Sequence, residues 1–239
     1  MRRGKRYQQA KSQIDPQGAY HPLDAVRLIK SQDVSRFDAT IEVHFRLGVN
    51  VRHADQQLRG TISLPHGTGR TVSVAVFAEG DKAREAEEAG ADVVGGDDLA
   101  KRVQEGFTDF DVAIATPDMM GTVGRLGRIL GPQGKMPNPK TGTVTFDVAR
   151  AGSEVKAGKV EYRTDRSGIV HLGIGKRSFT EEALVENYQA VIEEILRVKP
   201  AAAKGRYLRS ITLAETMGPG VPLDTTRTQN LLEEAAASA

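Results

Sequence analysis

The sequence predicts a two-domain protein of mixed α+β and α/β class, in which an α+β domain built from both termini carries an inserted, Rossmann-like three-layer α/β domain. Apolar and polar residues alternate near both ends of the chain, as in antiparallel strands with one solvated face. Between residues 71 and 118, strand-like and helix-like segments alternate, as in a parallel sheet covered by helices. Glycines near 67–69 and 158 indicate where the chain passes from one domain to the other. We therefore predict a first domain formed by residues 1–67 and 160–239 and an inserted domain formed by residues 68–159.

The N-terminal part of the chain predicts one helix and two strands. The helix begins at His21-Pro22-Leu23-Asp24, with Ala25, Leu28 and Ile29 facing inward. Residues 37–47 alternate strictly, which is typical of a half-buried strand. Its apolar face carries Ile41, Val43, Phe45 and Leu47, and its polar face carries Thr40, Glu42, His44 and Arg46. A second strand covers about 60–64.

The middle of the chain predicts three strands and two helices in alternation. The strands are centred on Val72, Val74 and Val76, on 91–94 and on 112–115, and the helices cover 81–89 and 97–105. Thr116-Pro117-Asp118 then has the pattern of a helix cap with Pro at the first helical position.

The C-terminal part returns to an antiparallel pattern. Segments 159–163 and 169–174 flank a turn that contains Gly168, which predicts a hairpin. Residues 180–197 form an amphipathic helix, and 207–213 form a last strand. The tail from Thr225 is predicted to be poorly anchored.

Composition excludes several classes of protein. The chain has 239 residues, 39% hydrophobic and 27% charged, which is ordinary for a globular protein. It has no Cys, and no apolar run approaches the ~20 residues of a membrane span, so no membrane partner is expected. The basic N-terminus lacks an apolar signal core, and the expected location is the cytoplasm.

The motifs of the common enzyme classes are missing. The turn after the first strand of the inserted domain, 77–82, matches neither dinucleotide-binding nor P-loop patterns, and its Glu79 and Asp81 would repel phosphate. The five His residues have no compact metal-ligand spacing, and no nucleophile motif such as G-x-S-x-G is present. We therefore expect no enzyme activity, no cofactor and no metal.

The distribution of charge favours a polyanionic partner. The formal net charge is only +2, but residues 119–146 contain Arg125, Arg128, Lys135 and Lys140 and no acidic residue. Within this segment 131–143 is rich in Pro and Gly, which predicts a shaped loop. Such a basic loop suits a phosphate backbone, although a Gly-rich surface connector is the plain alternative.

Polar strand faces point to RNA more specifically. Ser210 and Thr212 alternate in phase in the last strand, with Thr216 just beyond, and hydroxyl groups on an open sheet can bond phosphate and ribose. Aromatic residues make up only 5% of the chain, which argues against base stacking as the main mode. A solvated sheet face without a partner is the competing interpretation.

Five motifs in order resemble the bacterial ribosomal protein L-one family of the large subunit. They are Ser63-Leu64-Pro65-His66-Gly67-Thr68-Gly69-Arg70, Glu87-Glu88-Ala89-Gly90-Ala91-Asp92, Thr116-Pro117-Asp118-Met119-Met120, the segment from Gly131 through Gly142, and Thr216-Met217-Gly218-Pro219. The resemblance runs over roughly residues 4–224.

This resemblance implies both partners and site residues. The implied partners are the mobile stalk of the large ribosomal RNA beside the tRNA exit site, the exit-site tRNA whose release is assisted, and the protein's own messenger RNA, which the family represses. The implied RNA contacts are Arg36 (where the family often has Lys), Phe37, Thr40, Glu42, Ser210, Thr216, Met217 and Gly218. Arg125, Arg128, Lys135 and Lys140 are candidates for a secondary contact, with RNA or with passing tRNA.

Overall fold

The computed structural model describes residues 4–32 and 34–227. The chain forms two compact units, one containing residues up to Gly69 and from Tyr162 onward, the other Arg70–Glu161. These limits lie two residues from the predicted ones on each side. The predicted tail falls almost entirely outside the described residues. No helix in the described part of the chain is long and apolar enough to cross a membrane.

The helices and strands are numbered in chain order. The helices are α1 (Lys5–Ser12), α2 (Pro22–Ser31), α3 (Asp81–Glu88), α4 (Asp97–Gln104), α5 (Met120–Val123), α6 (Gly127–Leu130), α7 (Val148–Lys156) and α8 (Glu181–Arg197). The strands are β1 (Thr40–Leu47), β2 (Arg59–Ser63), β3 (Val74–Phe77), β4 (Val93–Gly95), β5 (Val112–Ala115), β6 (Lys159–Arg163), β7 (Ile169–Lys176), β8 (Leu208–Glu215) and β9 (Val221–Leu223). Short 3₁₀ turns occur at Ala54–Gln56, Pro117–Met119, Gly124–Leu126 and Pro139–Thr141.

The first unit is built on a four-stranded antiparallel sheet with the order β7-β1-β8-β9. β1 lies between β7 and β8, so that Phe45 is opposite both Val170 and Ile211. The predicted alternation of β1 is confirmed, because its four apolar residues are buried and its polar residues are not. One face of the sheet is therefore core and the other is polar.

Helices α2 and α8 pack on each other and on the apolar face of this sheet. The ring of Tyr188 in α8 stacks on Phe45 at a centroid distance of 6.2 Å. His21 caps α2 by accepting a hydrogen bond at Nδ1 from the Leu23 amide, as its place before Pro22 suggested. The predicted inward face of α2 needs one correction, since Leu28 is only half-buried and Val26 is buried.

The predicted hairpin between residues 159 and 174 is wrong in its pairing. β6 pairs with β2 in a separate two-stranded sheet, whereas β7 joins β1. Near the turn the two sides are linked by a bridge between Thr164 and Val170 and by a hydrogen bond from the Asp165 amide to the Ile169 carbonyl at 2.8 Å. The apolar side chains of β7 belong to the core under α8, and Thr164 is instead bonded to Leu58 O, so the strands diverge after the turn.

The second unit is a three-layer α/β fold, as predicted. Its sheet has the order β4-β3-β5 with parallel pairing, and Val76 is opposite Val94 and Ile114. Residues Ala75 and Phe77 face a core formed with α4, α5 and α6. Val74 and Val76 face a second core formed with α3 and α7. Helices on both faces explain why all of β3 is buried.

Several elements were not predicted. Helix α1 buries only Ala10, and its sequence therefore lacks the apolar residues at helical spacing from which a helix can be predicted. β9 has three residues with a central Pro and exists because it pairs with β8. α7 did have a detectable signal, since the Asp147 side chain caps it at the Arg150 amide and Val148, Ala151 and Val155 recur at helical spacing.

Candidate nucleic-acid interface

The open face of the four-stranded sheet is the strongest candidate for a binding surface. α2 and α8 cover the opposite face, and neighbouring strands bring polar side chains into register across the open one. His44 is opposite His171 of β7 and Thr212 of β8, and Arg46 is opposite Ser210. Polar side chains of this face include those of Thr40, Glu42, His44, Arg46, His171, Lys176, Ser210 and Thr212. We call it the open sheet face.

One end of the open sheet face carries most of the predicted RNA contacts. Phe37 and Met217 are 55% and 59% exposed, which is unusual for large apolar side chains. Together with Arg36 they line a groove beside the N-terminal segment. The fold thus joins two segments, near residues 37 and 217, that lie far apart in the chain.

The Thr216 hydroxyl links the segments near residues 37 and 217 through hydrogen bonds. Its oxygen accepts from the Thr40 amide at 3.1 Å and donates to the Thr40 carbonyl at 3.1 Å. The Thr216 amide also donates to the Thr40 carbonyl at 3.0 Å. The hydroxyl of Thr40 accepts from Lys176 Nζ at 2.9 Å. Both hydroxyls therefore have protein partners, and they shape this end of the sheet as well as lining it.

Gly218 closes a tight turn next to Thr216. Its amide donates to the Glu215 carbonyl at 2.8 Å. A Cβ atom on Gly218 would lie 3.2 Å from Glu215 Cβ, which is closer than most such contacts. Glycine at this position keeps the turn compact and leaves the backbone approachable for a ligand.

Glu215 supports the site and was missed by the sequence analysis. Its side chain is almost fully buried, accepts a hydrogen bond from the Ser35 hydroxyl and lies 3.7 Å from Arg177 Nη1. It thereby ties the segment before Phe37 to the end of β8. The available signal was its phase, because Glu215 follows Ile211 and Leu213 on the inward side of the strand.

Glu42 lies on the open sheet face two residues from Thr40, and its carboxylate has no hydrogen-bond partner among the described residues. It is half-buried, and within the described residues no hydrogen bond or ion pair of its side chain occurs. Its cross-strand neighbours are Gly173 and Ala214, which have no side chain beyond a methyl group. Small neighbours leave the carboxylate accessible to an incoming donor.

Ser210 lies at the other end of the open sheet face. It is exposed and opposite Arg46, six residues before Thr216 along the same strand direction. At the usual rise of a strand this corresponds to roughly 20 Å. The predicted contacts therefore extend over the length of the sheet and do not form one compact cluster.

The basic candidates of the second unit divide into two kinds. Arg125, Arg128 and Lys140 are exposed. Lys135 instead donates to the Thr108 carbonyl at 2.9 Å and lies 5.4 Å from the centre of the Phe110 ring. Its charge therefore helps to hold the loop in place.

The loop itself is well ordered by internal bonds. Asn138 caps the Pro139–Thr141 turn by accepting from the Lys140 amide at 2.8 Å, and its carbonyl accepts from the Thr141 hydroxyl at 3.0 Å. Gly142 follows in the left-handed region with φ of 70°. These bonds account for the shaped loop that the Pro and Gly pattern predicts. No group of side chains suited to a metal ion occurs in residues 4–32 and 34–227.

Comparison with known proteins identifies the family. The model of the Ribosomal protein L1p/L10e family matches residues 28–219. Three relatives bear the name large ribosomal subunit protein uL1. The protein of Thermobifida fusca is 59% identical over the full length of both chains. That of Frankia alni is 58% identical over 98% of this chain and 99% of its own, and that of Streptomyces griseus 58% over 98% of each.

These relatives are named as ribosomal proteins, and the match covers almost the whole of each chain. It confirms the resemblance seen in the five motifs and the expectation that the chain is not an enzyme. The chain belongs to the ribosomal protein L1p/L10e family, in its bacterial form.

Proposed function

We propose that the protein is a component of the large ribosomal subunit in the cytoplasm that binds the mobile stalk of the large ribosomal RNA through the open sheet face. The observation that carries this proposal is a sheet with one covered and one polar face, ending in two exposed apolar side chains, Phe37 and Met217. Ordinary solvated faces seldom expose large apolar groups at their edge. The flat bases of RNA suit the exposed apolar side chains, and its sugar–phosphate backbone suits the polar face.

The roles of the contacts follow from their chemistry. Arg36 and Arg46 are exposed cations suited to phosphate groups. The Glu42 carboxylate repels phosphate but accepts from a ribose hydroxyl or a guanine amino group, so it contributes to selectivity. Met217 offers an adaptable apolar contact, and Gly218 allows close approach of the backbone.

A second contact, with the exit-site tRNA, is proposed for the inserted unit. Arg125, Arg128 and Lys140 are exposed cations in a segment without acidic residues, and the loop that contains Lys140 is held in a defined shape. An electrostatic contact of this kind is sequence-tolerant and weak enough to permit release. Assistance in the release of deacylated tRNA is consistent with it.

Repression of the protein's own messenger RNA is proposed as a further consequence of the same surface. A sheet that recognises RNA by shape and sugar–phosphate contacts accepts any RNA that presents the same fold. A stalk-like structure in the message would then compete with ribosomal RNA for Phe37, Glu42 and Met217.

The test is filter binding of stalk RNA and of a shuffled RNA of equal length over a range of salt concentrations. We expect tight binding of stalk RNA only, with a log–log salt slope of about 0.7–0.9 per phosphate neutralised. Equal affinity for both RNAs, or an affinity that salt does not change, would contradict the proposal.

A substitution localises the contact on the open sheet face. Glu42→Gln should weaken stalk binding by about 1–3 kcal/mol, because an RNA donor loses a charged acceptor. Stability should change by less than about 0.5 kcal/mol, since the carboxylate has no bonded partner among the described residues. Arg46→Gln is the control on the same strand face and should cost less. Unchanged affinity of Glu42→Gln would leave a solvated face as the better account.

A further inference from the structure

Two histidines form a direct pair on the open sheet face. His44 Nδ1 lies 2.8 Å from His171 Nδ1, and the ring centres are 5.0 Å apart at 65°. Since both atoms are Nδ1, one ring donates and the other accepts. The two rings therefore share one hydrogen between them, and their Nε2 atoms point to other groups, that of His171 to Asp165 Oδ2 at 3.6 Å.

The surroundings of the pair control its charge. The titratable or charged groups that face it are Glu42 and Arg46 on β1 and Asp165 in the turn before β7, whose Oδ2 is 3.6 Å from His171 Nε2. From β8, Thr212 is opposite His44 and Ser210 is opposite Arg46, and neither hydroxyl titrates in this range. Burial and the neighbouring His171 lower the pKa of His44, and Glu42 raises it less.

Protonation of both rings at once is disfavoured, because it would place two N–H groups against each other across the 2.8 Å contact and two positive charges in adjacent rings. A single added proton goes to an Nε2 atom and leaves the shared hydrogen bond in place, so the pair can carry one positive charge. Burial disfavours that charge on His44 in the free protein, and an anion bound nearby favours it. Nearby hydroxyls of Ser210 and Thr212, and Arg46 about 7 Å along the strand, supply the other donors that such an anion needs.

We propose that His44 and His171 form a phosphate-binding subsite of the RNA surface, which takes up a proton when a phosphodiester of the bound RNA docks there. This inference rests on the proposed RNA binding and adds a coupling between binding and pH. Glu42 and Asp165 flank the subsite and would repel a phosphate placed elsewhere on this part of the face, which restricts the backbone to the histidines and Arg46.

The direction of the coupling follows from linkage. A phosphate within a few ångströms favours the charged imidazole, so the pKa of the pair is higher in the complex than in the free protein. The extra affinity is fully present below the pKa of the free pair and is lost as pH rises through the pKa of the bound one. Because the pKa of His44 in the free protein lies below its ordinary value, binding should tighten as pH falls from neutral into the acidic range.

The experiment measures stalk RNA affinity from pH 8.0 to 5.5 at constant ionic strength, with the full-length protein and two variants. In the wild type we expect binding to tighten about tenfold as pH falls, which corresponds to a shift of about one pKa unit. His44→Gln with His171→Gln should bind with little pH dependence. The control His66→Gln should behave like the wild type, because His66 bonds Glu186 of α8, away from the open sheet face.

A second readout needs no variant. Calorimetry of the wild-type complex in buffers of different ionisation enthalpy should show uptake of about half a proton at the pH midway between the pKa values of the free and bound pair, as a shift of about one pKa unit requires. A pH dependence that the double substitution leaves intact, or binding without proton uptake, overturns the subsite while stalk binding itself persists. Failure to prefer stalk RNA at every pH would instead overturn the proposed function.

Discussion

Thr216 and Glu42 lie near the same sheet face, yet their polar atoms have different partners. The Thr216 hydroxyl is bonded twice to the backbone of Thr40, whereas the Glu42 carboxylate is unbonded within the described residues. A polar side chain that is bonded within the protein, such as Thr216, contributes to binding by shaping the surface. A side chain without such a bond among the described residues, such as Glu42, contributes through hydrogen bonds to the RNA.

This difference predicts a stability effect at Thr216. Thr216→Val keeps the shape but leaves the Thr40 amide and carbonyl each without one bond, and we expect a loss of about 1–2 kcal/mol in the free energy of unfolding. Urea denaturation measures it. Thr212→Val is the matched control in the preceding strand, since its hydroxyl has no bonded partner among the described residues, and it should change stability by less than about 0.5 kcal/mol. Equal losses in the two variants would refute the structural role of Thr216.

At the scale of the elements, a buried side chain of α8 connects three parts of the first unit. Asn187 is fully buried. It accepts from the His66 amide at 3.0 Å and donates to the carbonyls of Gly67 at 3.0 Å and Ile174 at 2.7 Å. It therefore holds the turn after β2 and the end of β7 against the helix.

Loss of this side chain should destabilise the first unit strongly. Asn187→Ala leaves three backbone groups without this partner, of which the Ile174 carbonyl is buried and the other two are partly buried, and we expect a loss of about 2–4 kcal/mol in the free energy of unfolding. The comparison is Glu193→Ala, an exposed position on the same helix, expected within about 0.5 kcal/mol of the wild type. If thermal and urea unfolding of Asn187→Ala match the wild type, the turn is held by other contacts.

At the scale of the whole molecule, the proposed contacts are divided between the two units. All residues of the open sheet face belong to the first unit, and the exposed cations Arg125, Arg128 and Lys140 belong to the second. Each unit has its own sheet and its own buried apolar residues. Separate cores permit separate functions and independent folding.

A shortened chain tests this division. Joining 1–67 to 160–239 through a short linker should give a protein that folds and keeps most of its affinity for stalk RNA, while an interaction with tRNA is lost. Circular dichroism and filter binding would check the two parts of this expectation. The isolated segment 68–159 is the reciprocal control, and stalk binding by it as tight as that of the whole chain would reverse the assignment.

The sequence by itself determined those elements whose pattern is local. The alternation of β1, the capped and amphipathic α8, and the strand–helix order of the second unit follow from side-chain periodicity and turn residues. The family also followed from sequence, because its five motifs are contiguous stretches. Among the RNA contacts, the sequence supplied the candidate residues and the polar strand face on which Glu42 lies.

Only the tertiary structure decided which of these elements meet. The divergence of β6 and β7 into different sheets, the pairing of β9 and the burial of Glu215 depend on partners distant in sequence. The same holds for the contact between His44 and His171, since cross-strand register places residues 127 positions apart within 2.8 Å. Local pattern specifies which face of a strand is apolar, whereas strand order and register arise from packing of the whole unit, and so the arrangement of the binding surface required the fold.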